Sequence, residues 1–458
     1  MRYHALACDY DGTLAPEGTM SPETRAALAR LRAAGRRVLL VTGRRLDDLE
    51  AVCPDLSVFD AVVAENGATY SNPPGAPPRL LAPAPPQEFF DRLRARGVTP
   101  LDRGAVIVAT VQPHEVEVVE AIRALGLELQ IIFNKGAVMV LPSGVNKASG
   151  LEFALTDLGL SRHEVVGVGD GENDHAFLGH CELSVAVADA VPSLAEAADV
   201  VTRGGAGSGV VELAQALLEE DARLLTPRRP RHLVALGLRG DATSFSVPPR
   251  EGNILCVGQD DAARSELLSH LVQRLADRSY QCCLIDPAGA QAARADAVVM
   301  GASNRVPTLQ EVMAALAAPG HHVVVNLSAL PAGEQAAFTS QLLGRFAELR
   351  AKVGRPHFVL IDRAEQLLSK DGSAAGLSEG LVLATRAPDG LAARLRASTT
   401  LVLAAGADPA RAVDAAAEAL SRPAPRAHEV ALAAGGALAW PVAAAGAPFP
   451  LRVAAPSS

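Results

Sequence analysis

Asp9-Tyr10-Asp11-Gly12-Thr13-Leu14 follows directly on the apolar run Ala5–Cys8. A short continuous apolar run that ends in a polar, Gly-containing turn reads as a strand buried on both faces. The pattern recurs at Val38–Val41 (then Thr42-Gly43-Arg44), Ala61–Ala64 (then Glu65-Asn66-Gly67), Val165–Val168 (then Gly169-Asp170) and Ser184–Val187. Helical segments lie between the runs, such as Pro22–Ala34, with Ser21 as N-cap and Gly35 just past its end. Strand-like runs alternating with helices predict an α/β fold, a parallel sheet covered on both faces. Ligands of such sheets bind beyond the carboxyl ends of the strands. Reactive polar groups sit at that end of four of these runs.

A carboxylate at a strand end can attack phosphorus and form an aspartyl-phosphate, which splits hydrolysis into two easier steps. A second carboxylate two residues on can protonate the leaving oxygen and then activate water, and Gly12 permits the tight turn between them. Alone, Asp9 and Asp11 are equally the composition of an ordinary acidic turn. The other strand ends add the missing parts. Thr42 offers a hydroxyl and Gly43 an approachable amide for phosphoryl oxygens; Lys147 offers a compact positive charge. Gly169-Asp170-Gly171-Glu172-Asn173-Asp174 offers acidic groups suited to Mg²⁺, which prefers a few carboxylates together with water and phosphate oxygen.

The Pro-rich stretch Asn72–Pro86 breaks the pattern. After it come a helix (Gln87–Arg96), strands near Val98–Leu101 and Ala105–Val111, a helix (Pro113–Leu125), and strands Glu128–Phe133 and Ala137–Leu141. This αββαββ block reads as an insert folded over the strand ends, after which Lys147 and the helix Ala148–Leu158 return to the main sheet. The expected organisation is a core of residues 1–72 and 144–222, a cap of 73–143, a linker of 223–235 and a second domain of 236–458.

In this order, the motifs resemble the four signatures of the haloacid dehalogenase (HAD) superfamily: Asp-x-Asp-Gly-Thr, Thr-Gly-Arg, a lone Lys, and Gly-Asp-x-x-x-Asp. The resemblance covers roughly Met1–Leu217 and is similar to the Cof-type subgroup through Glu65-Asn66-Gly67-Ala68 and Ser184–Val191. The cap is similar to those of archaeal phosphoglycolate phosphatases and sucrose-phosphate phosphatases. The resemblance implies a HAD Rossmann-like parallel sheet and a magnesium-dependent phosphomonoesterase acting on a sugar phosphate or phosphoglycolate-like metabolite. It implies Asp9 as nucleophile and Asp11 as general acid/base, with Mg²⁺ held by Asp9, the Asp11 carbonyl, Asp170 and Asp174. Thr42, Gly43, Lys147 and Asn173 would contact the phosphoryl group, and Arg44 and Asn66 the substrate. A phosphotransferase or mutase using the same aspartyl-phosphate is the alternative, because the motifs do not dictate the acceptor.

The charged run Glu219–His232, containing Thr226-Pro227-Arg228-Arg229-Pro230-Arg231, leads into a second α/β unit. Its apolar runs are Ile254–Val257, Cys282–Ile285, Val323–Leu327, Phe358–Ile361 and Thr400–Ala404, with a hairpin of Glu429–Leu432 and Ala437–Trp440 near the end. Gly258-Gln259-Asp260-Asp261-Ala262-Ala263-Arg264-Ser265 has the position and length of a phosphate-binding P-loop. Ala263 stands where the second Gly belongs, Arg264 replaces the Lys, and two aspartates occupy the loop. Asp362 ends a Walker B-like strand, but Arg363 follows where Glu is expected. Residues Gly252–Pro409 are similar to HerA/FtsK-type P-loop ATPases, which implies a RecA-like domain with a degenerate site of Gly258, Arg264, Ser265 and Asp362. Three readings stay open: nucleotide binding without turnover, a decayed domain kept for packing or assembly, and an ATP-driven nucleic-acid translocase carrying an accessory phosphatase. RecA-like relatives often form hexamers, so this domain is a candidate for oligomerisation.

The net charge of −9 argues against a broad nucleic-acid footprint. The six cysteines show no metal-ligand spacing, and Cys8, Cys256 and Cys282 lie in apolar runs as expected of buried thiols. No basic region followed by an apolar stretch opens the sequence, and no apolar run is long enough for a membrane helix. A cytoplasmic protein is the expectation.

Overall fold

The run Ala5–Cys8 is a strand at the centre of an eight-stranded sheet. The strand order is Val200–Val201, Leu183–Ala186, Val165–Gly169, Ala5–Cys8, Arg37–Val41, Ala61–Ala64, Thr69–Ser71 and Arg79–Leu80. The first six are parallel, and the last two join through antiparallel pairings. In this computed structural model the chain divides into two compact units, Met1–Pro230 and Arg231–Ser458. The structure describes residues 1–221, 231–249, 252–368, 376–425, 432, 435–442 and 446–453.

Both faces of the first sheet are buried, as its unbroken apolar strands require. Leu6, Cys8, Leu40, Val62, Val166 and Val168 pack against the helices Pro22–Ala33 and Ala206–Glu220 through Leu28, Leu31, Val210 and Leu213. Ala5, Ala7, Leu39, Val41 and Val63 point the other way, onto Leu151 and Leu155 of the helix Lys147–Asp157. The Ser21 hydroxyl caps the helix Pro22–Ala33 by accepting from the Thr24 amide at 3.1 Å.

The insert has the expected helix–strand order. Its antiparallel sheet runs Asp102–Arg103, Val108–Val111, Ala137–Pro142, Leu129–Asn134. The helices Gln87–Ala95 and Glu115–Leu125 cover one face, through Phe89, Leu93, Val118 and Ala121. Two expectations need correction. The strand placed near Val98–Leu101 lies at Asp102–Arg103 instead; Pro100 has no N–H for a ladder, and its carbonyl accepts from Thr110 Oγ1 at 2.6 Å. The Pro-rich stretch is not only a boundary, since Arg79–Leu80 within it pairs with Thr69–Ser71 and extends the core sheet.

Glu65 ties the cap to the core. This buried carboxylate accepts from the backbone amides of Ala105, Val106 and Ile107, each at 2.8 Å.

The second unit is built on an eleven-stranded sheet. Its order is Ser244–Val247, Val234–Arg239, Phe449–Arg452, Gly436–Pro441, Thr399–Ala404, Asn253–Val257, Leu381–Thr385, Phe358–Ile361, Cys282–Asp286, Val323–Asn326, Val298–Met300. From Thr399–Ala404 to Val298–Met300 the strands are parallel. Val234–Arg239 begins inside the expected linker, whose residues 223–230, with most of the arginine cluster, lie outside the described residues. The expected strand Glu429–Leu432 falls almost wholly outside them as well. Ala437–Trp440 is a strand, but it pairs with Thr399–Ala404 and Phe449–Arg452. All six cysteines are free and buried. Among the described residues no helix is long and apolar enough to cross a membrane.

The Glu65 anchor yields a direct expectation. Glu65→Ala would leave three backbone donors without their acceptor, two of them buried, and should lower unfolding free energy by about 3 kcal/mol in denaturant titration. Limited proteolysis of the variant should cut first within residues 73–143.

Candidate active site

Lys147 is the first residue of its helix, and the chain around it is built to place it. The Asn146 side chain caps the helix by accepting from the Ala148 and Ser149 amides, and Ser149 Oγ in turn accepts from the Asn146 amide. Gly67, at φ +96°, lets the strand-end loop touch this helix start; a Cβ there would lie 1.9 Å from the Asn146 carbonyl oxygen. Gly150 closes the same contact, since a Cβ on it would come within 2.5 Å of the Gly67 Cα. The loop Glu65-Asn66-Gly67 is left-handed at all three residues, which leads the chain sharply away from the strand end.

So placed, the Lys147 ammonium is buried between two carboxylates, 2.5 Å from Asp9 Oδ1 and 2.6 Å from Asp174 Oδ1. The other oxygen of Asp174 accepts from the amides of Asp170 and Gly171 at 2.8 and 2.9 Å. Thr13 Oγ1 donates to Asp170 at 2.8 Å. Gly12, at φ +79°, allows the Asp9 loop to meet Asp170, whose Oδ2 lies 2.2 Å from where a Cβ would stand. Carboxylate oxygens of Asp9, Asp170 and Asp174, all buried, lie within 4.8 Å of one another.

Burial pushes the Asp9 carboxyl well above the ordinary carboxylate range; Lys147 opposes the shift, and the charges of Asp174 and Asp170 reinforce it. Burial also works against the Lys147 ammonium, but Asp174 and Asp9 outweigh it and hold the group charged. Three clustered carboxylates with one fully buried ammonium between them are a donor set suited to a hard divalent cation.

The remaining sequence-predicted residues surround this cluster. Arg44 grips Asp11 with a two-pronged pair, 2.7 Å from Nε and 2.6 Å from Nη2. Asn173 Nδ2 donates to Asn66 Oδ1 at 2.9 Å, and both amides lie beside Gly43. Thr42 is buried, with its hydroxyl accepting from the Arg44 amide at 3.2 Å. Asp174 uses both oxygens inside the protein, on Lys147 and on the amides of Asp170 and Gly171, and Asp170 likewise uses both, on Thr13 and Lys135.

Two neighbours of the cluster escaped the sequence reading. Thr13 carried a visible signal, as it lies inside the quoted motif. Lys135 did not: it is a turn residue of the cap, far along the chain, yet its ammonium pairs with Asp170 Oδ2.

In the second unit, Gly258, Arg264 and Asp362 come together at the carboxyl ends of the parallel strands, but the loop is filled from within. The fully buried Arg264 donates to the Gly258 carbonyl at 2.6 Å and pairs with Asp261. Asp261 is also bonded to Arg363 at 3.0 Å and to Arg386 at 2.8 and 2.9 Å. Ser265 is engaged with the Gln291 amide at 2.7 Å, and Asp362 accepts from the amide of Arg363 at 2.9 Å.

A cap-covered parallel sheet with an acidic cluster around a strand-end aspartate defines the first unit's class, and comparison with known proteins agrees. Residues 6–74 and 110–213 match the haloacid dehalogenase-like hydrolase family. The phosphoglycolate phosphatase of Methanothermobacter thermautotrophicus is 33% identical over 218 residues, 45% of this chain and 96% of that protein. That of Aeropyrum pernix is 30% identical over 222 residues, 46% of this chain and 92% of that protein. A solved haloacid dehalogenase-like hydrolase from Bacteroides thetaiotaomicron has a TM-score of 0.40 and 20% identity, over 47% of this chain and 99% of that one. The protein is a phosphatase. The chain belongs to the haloacid dehalogenase-like hydrolase family.

The seating of Lys147 can be tested away from the chemistry. Gly150→Val would force the helix start off the Gly67 loop, with a cost of about 2 kcal/mol in unfolding free energy. Turnover should fall in the same variant at temperatures where it remains folded.

Proposed function

We propose that the first unit is a magnesium-dependent phosphomonoesterase that works through an aspartyl-phosphate on a small phosphorylated metabolite, a phosphoglycolate-like or sugar phosphate ester. The observation that carries this reading is the buried contact of Lys147 with Asp9 and Asp174 beside Asp170. Relatives named phosphoglycolate phosphatases, aligned over nearly their whole length, support the substrate class.

Asp9 attacks phosphorus while the ester oxygen departs, and Asp11 gives that oxygen a proton. Asp11 then takes a proton from water, the water oxygen attacks phosphorus, and the Asp9–phosphorus bond breaks to release inorganic phosphate. Between these two transfers Arg44 holds the half-exposed Asp11 carboxylate in place. Lys147 opposes the rise that burial imposes on the Asp9 carboxyl and draws in the phosphoryl oxygens. Thr42, Gly43 and Asn173 bind those oxygens, and Asn66 orients Asn173 through their amide pair. Mg²⁺ would be held by Asp9, the Asp11 carbonyl and Asp170, with Asp174 bound directly or through water, and would offset negative charge on the phosphoryl group as it moves.

The second unit is read as a RecA-like P-loop domain without ATPase activity, serving regulation or assembly. The strand Asn253–Val257, which leads into the Gly258 loop, is separated from the Asp362-bearing strand by Leu381–Thr385. Two such strands bring their loops to one edge of the sheet, which supports the P-loop reading. The Asp261 carboxylate of this loop, held by three guanidinium groups, supports the reading of a loop that does not turn over ATP.

The decisive assay is phosphate release from phosphoglycolate, sugar phosphates and p-nitrophenyl phosphate, with Mg²⁺ and with EDTA. Turnover should require Mg²⁺ and should fall by at least about 1,000-fold in Asp9→Asn, which cannot form the aspartyl-phosphate. Persistence of activity in EDTA would refute the metal requirement. In the Asp9→Asn background, ATP with Mg²⁺ should release no phosphate; measurable ATP hydrolysis there would refute the reading of the second unit.

A further inference from the structure

Lys135 occupies the first central position of a two-residue hairpin turn in the cap, between Leu129–Asn134 and Ala137–Pro142. Asn134 pairs with Ala137 across the turn, and both central residues have positive φ, +47° at Lys135 and +86° at Gly136. Such turns favour Asn-Gly or Asp-Gly, because an ordinary L-residue is strained in the left-handed region. A lysine here goes against the local preference, and strain of this kind points to a job for the side chain.

The side chain crosses to the core. Its ammonium pairs with Asp170 Oδ2 and lies 2.9 Å from where a Cβ on Gly12 would stand, beside the Asp9 loop. Its backbone amide donates to Glu172 Oε2 at 3.1 Å, so the turn is fastened to the loop that carries Asp170 and Asp174. About half of the Lys135 side chain remains exposed, whereas Lys147 is sealed in the core. The two ammonium groups therefore differ in kind. Lys147 is fixed by two carboxylates. Lys135 reaches the cluster from the cap on a flexible stem and keeps an open side toward solvent.

We propose that Lys135 is the specificity residue of the site, selecting phosphate esters whose alcohol portion carries a carboxylate close to the ester oxygen. The inference rests on the phosphatase reading above and narrows its substrate class. A divalent cation held by Asp170 would offset the charge that Lys135 now neutralises, which would leave the ammonium available to a new anion. A substrate whose phosphoryl group lies at Asp9 presents its alcohol portion toward the cap. A carboxylate one or two carbons from the ester oxygen then falls within reach of a group already beside Asp170. A neutral alcohol portion offers Lys135 no anion to pair with and gains nothing from it, which favours the carboxylate-bearing esters over such esters.

The test compares 2-phosphoglycolate with 2-hydroxyethyl phosphate, which has the same chain length and no carboxylate, on the full chain with Mg²⁺. Lys135→Met keeps the length of the side chain and removes the charge. It should lower kcat/KM for 2-phosphoglycolate by roughly 10- to 100-fold, mainly through KM, the loss expected for one charge-assisted hydrogen bond. It should leave 2-hydroxyethyl phosphate within about twofold of wild type. Lys135→Arg should recover part of the preference. Titration of 2-phosphoglycolate and of inorganic phosphate into Asp9→Asn, with and without Lys135→Met, gives a readout independent of turnover: only the first ligand should weaken. Equal losses for both esters, or equal weakening of both ligands, would overturn the assignment of Lys135 and leave the phosphatase reading standing. Absence of turnover with every ester in the folded wild-type chain would overturn the phosphatase reading itself, and this inference with it.

Discussion

The contact of the Lys147 ammonium with Asp9 and Asp174 is the constraint around which the first unit is arranged. Three carboxylates share a buried space at the carboxyl edge of the sheet. Without compensation, their mutual repulsion and loss of hydration would either protonate them or expel them. The single buried ammonium relieves part of this, and removing one member of such a pair strands the other as an uncompensated charge. Even with the Lys135 ammonium on Asp170, two positive charges among three carboxylates leave the cluster short. The deficit is the physical reason the site suits a divalent cation, and the charges of Asp174 and Asp170 add to the burial that raises the Asp9 carboxyl above the ordinary range.

Backbone geometry that is otherwise unfavourable follows from the same requirement. The left-handed run Glu65-Asn66-Gly67 turns the chain so that Asn66 meets Asn173, while Gly67 meets the start of the Lys147 helix. Glu65, in the same run, accepts three amides of the cap. One loop of three residues thus joins the core, the cap and the helix that starts at Lys147. Its sequence announces little of this, because a Glu-Asn-Gly turn after a strand is common and none of its partners is near in the chain.

That contrast marks what the sequence carried. The core strands and the residues at their ends were legible, since apolar runs and the turns that follow them are local and their periodicity is set by burial on both faces. The strand Leu381–Thr385 had the same signal, a buried apolar run between Gly380 and Thr385-Arg386, and could have been found by it. Asp102–Arg103 and Val298–Met300 could not: two or three residues at a sheet edge show no period. The interactions of Glu65, Lys135 and Asp261 were hidden for another reason. Each joins residues 35 or more positions apart, or, for Asp261, converts a residue expected to repel a ligand into one that satisfies three arginines.

The two units answer the same problem in opposite ways. In both, parallel strands deliver polar groups to one edge of a sheet, where backbone geometry and burial make unpaired charge costly. In the first unit the three clustered carboxylates outnumber the two ammonium groups that pair with them, an imbalance that a cation would relieve. In the second, Arg264 finds both its partners within its own loop, the Gly258 carbonyl and Asp261. Arg363 and Arg386 complete the shell around Asp261. There the one Asp261 carboxylate is held by three guanidinium groups, so an incoming anion would have to displace it. The two sheet edges thus carry opposite excesses, carboxylates over ammonium groups in the first unit and guanidinium groups over the carboxylate they hold in the second.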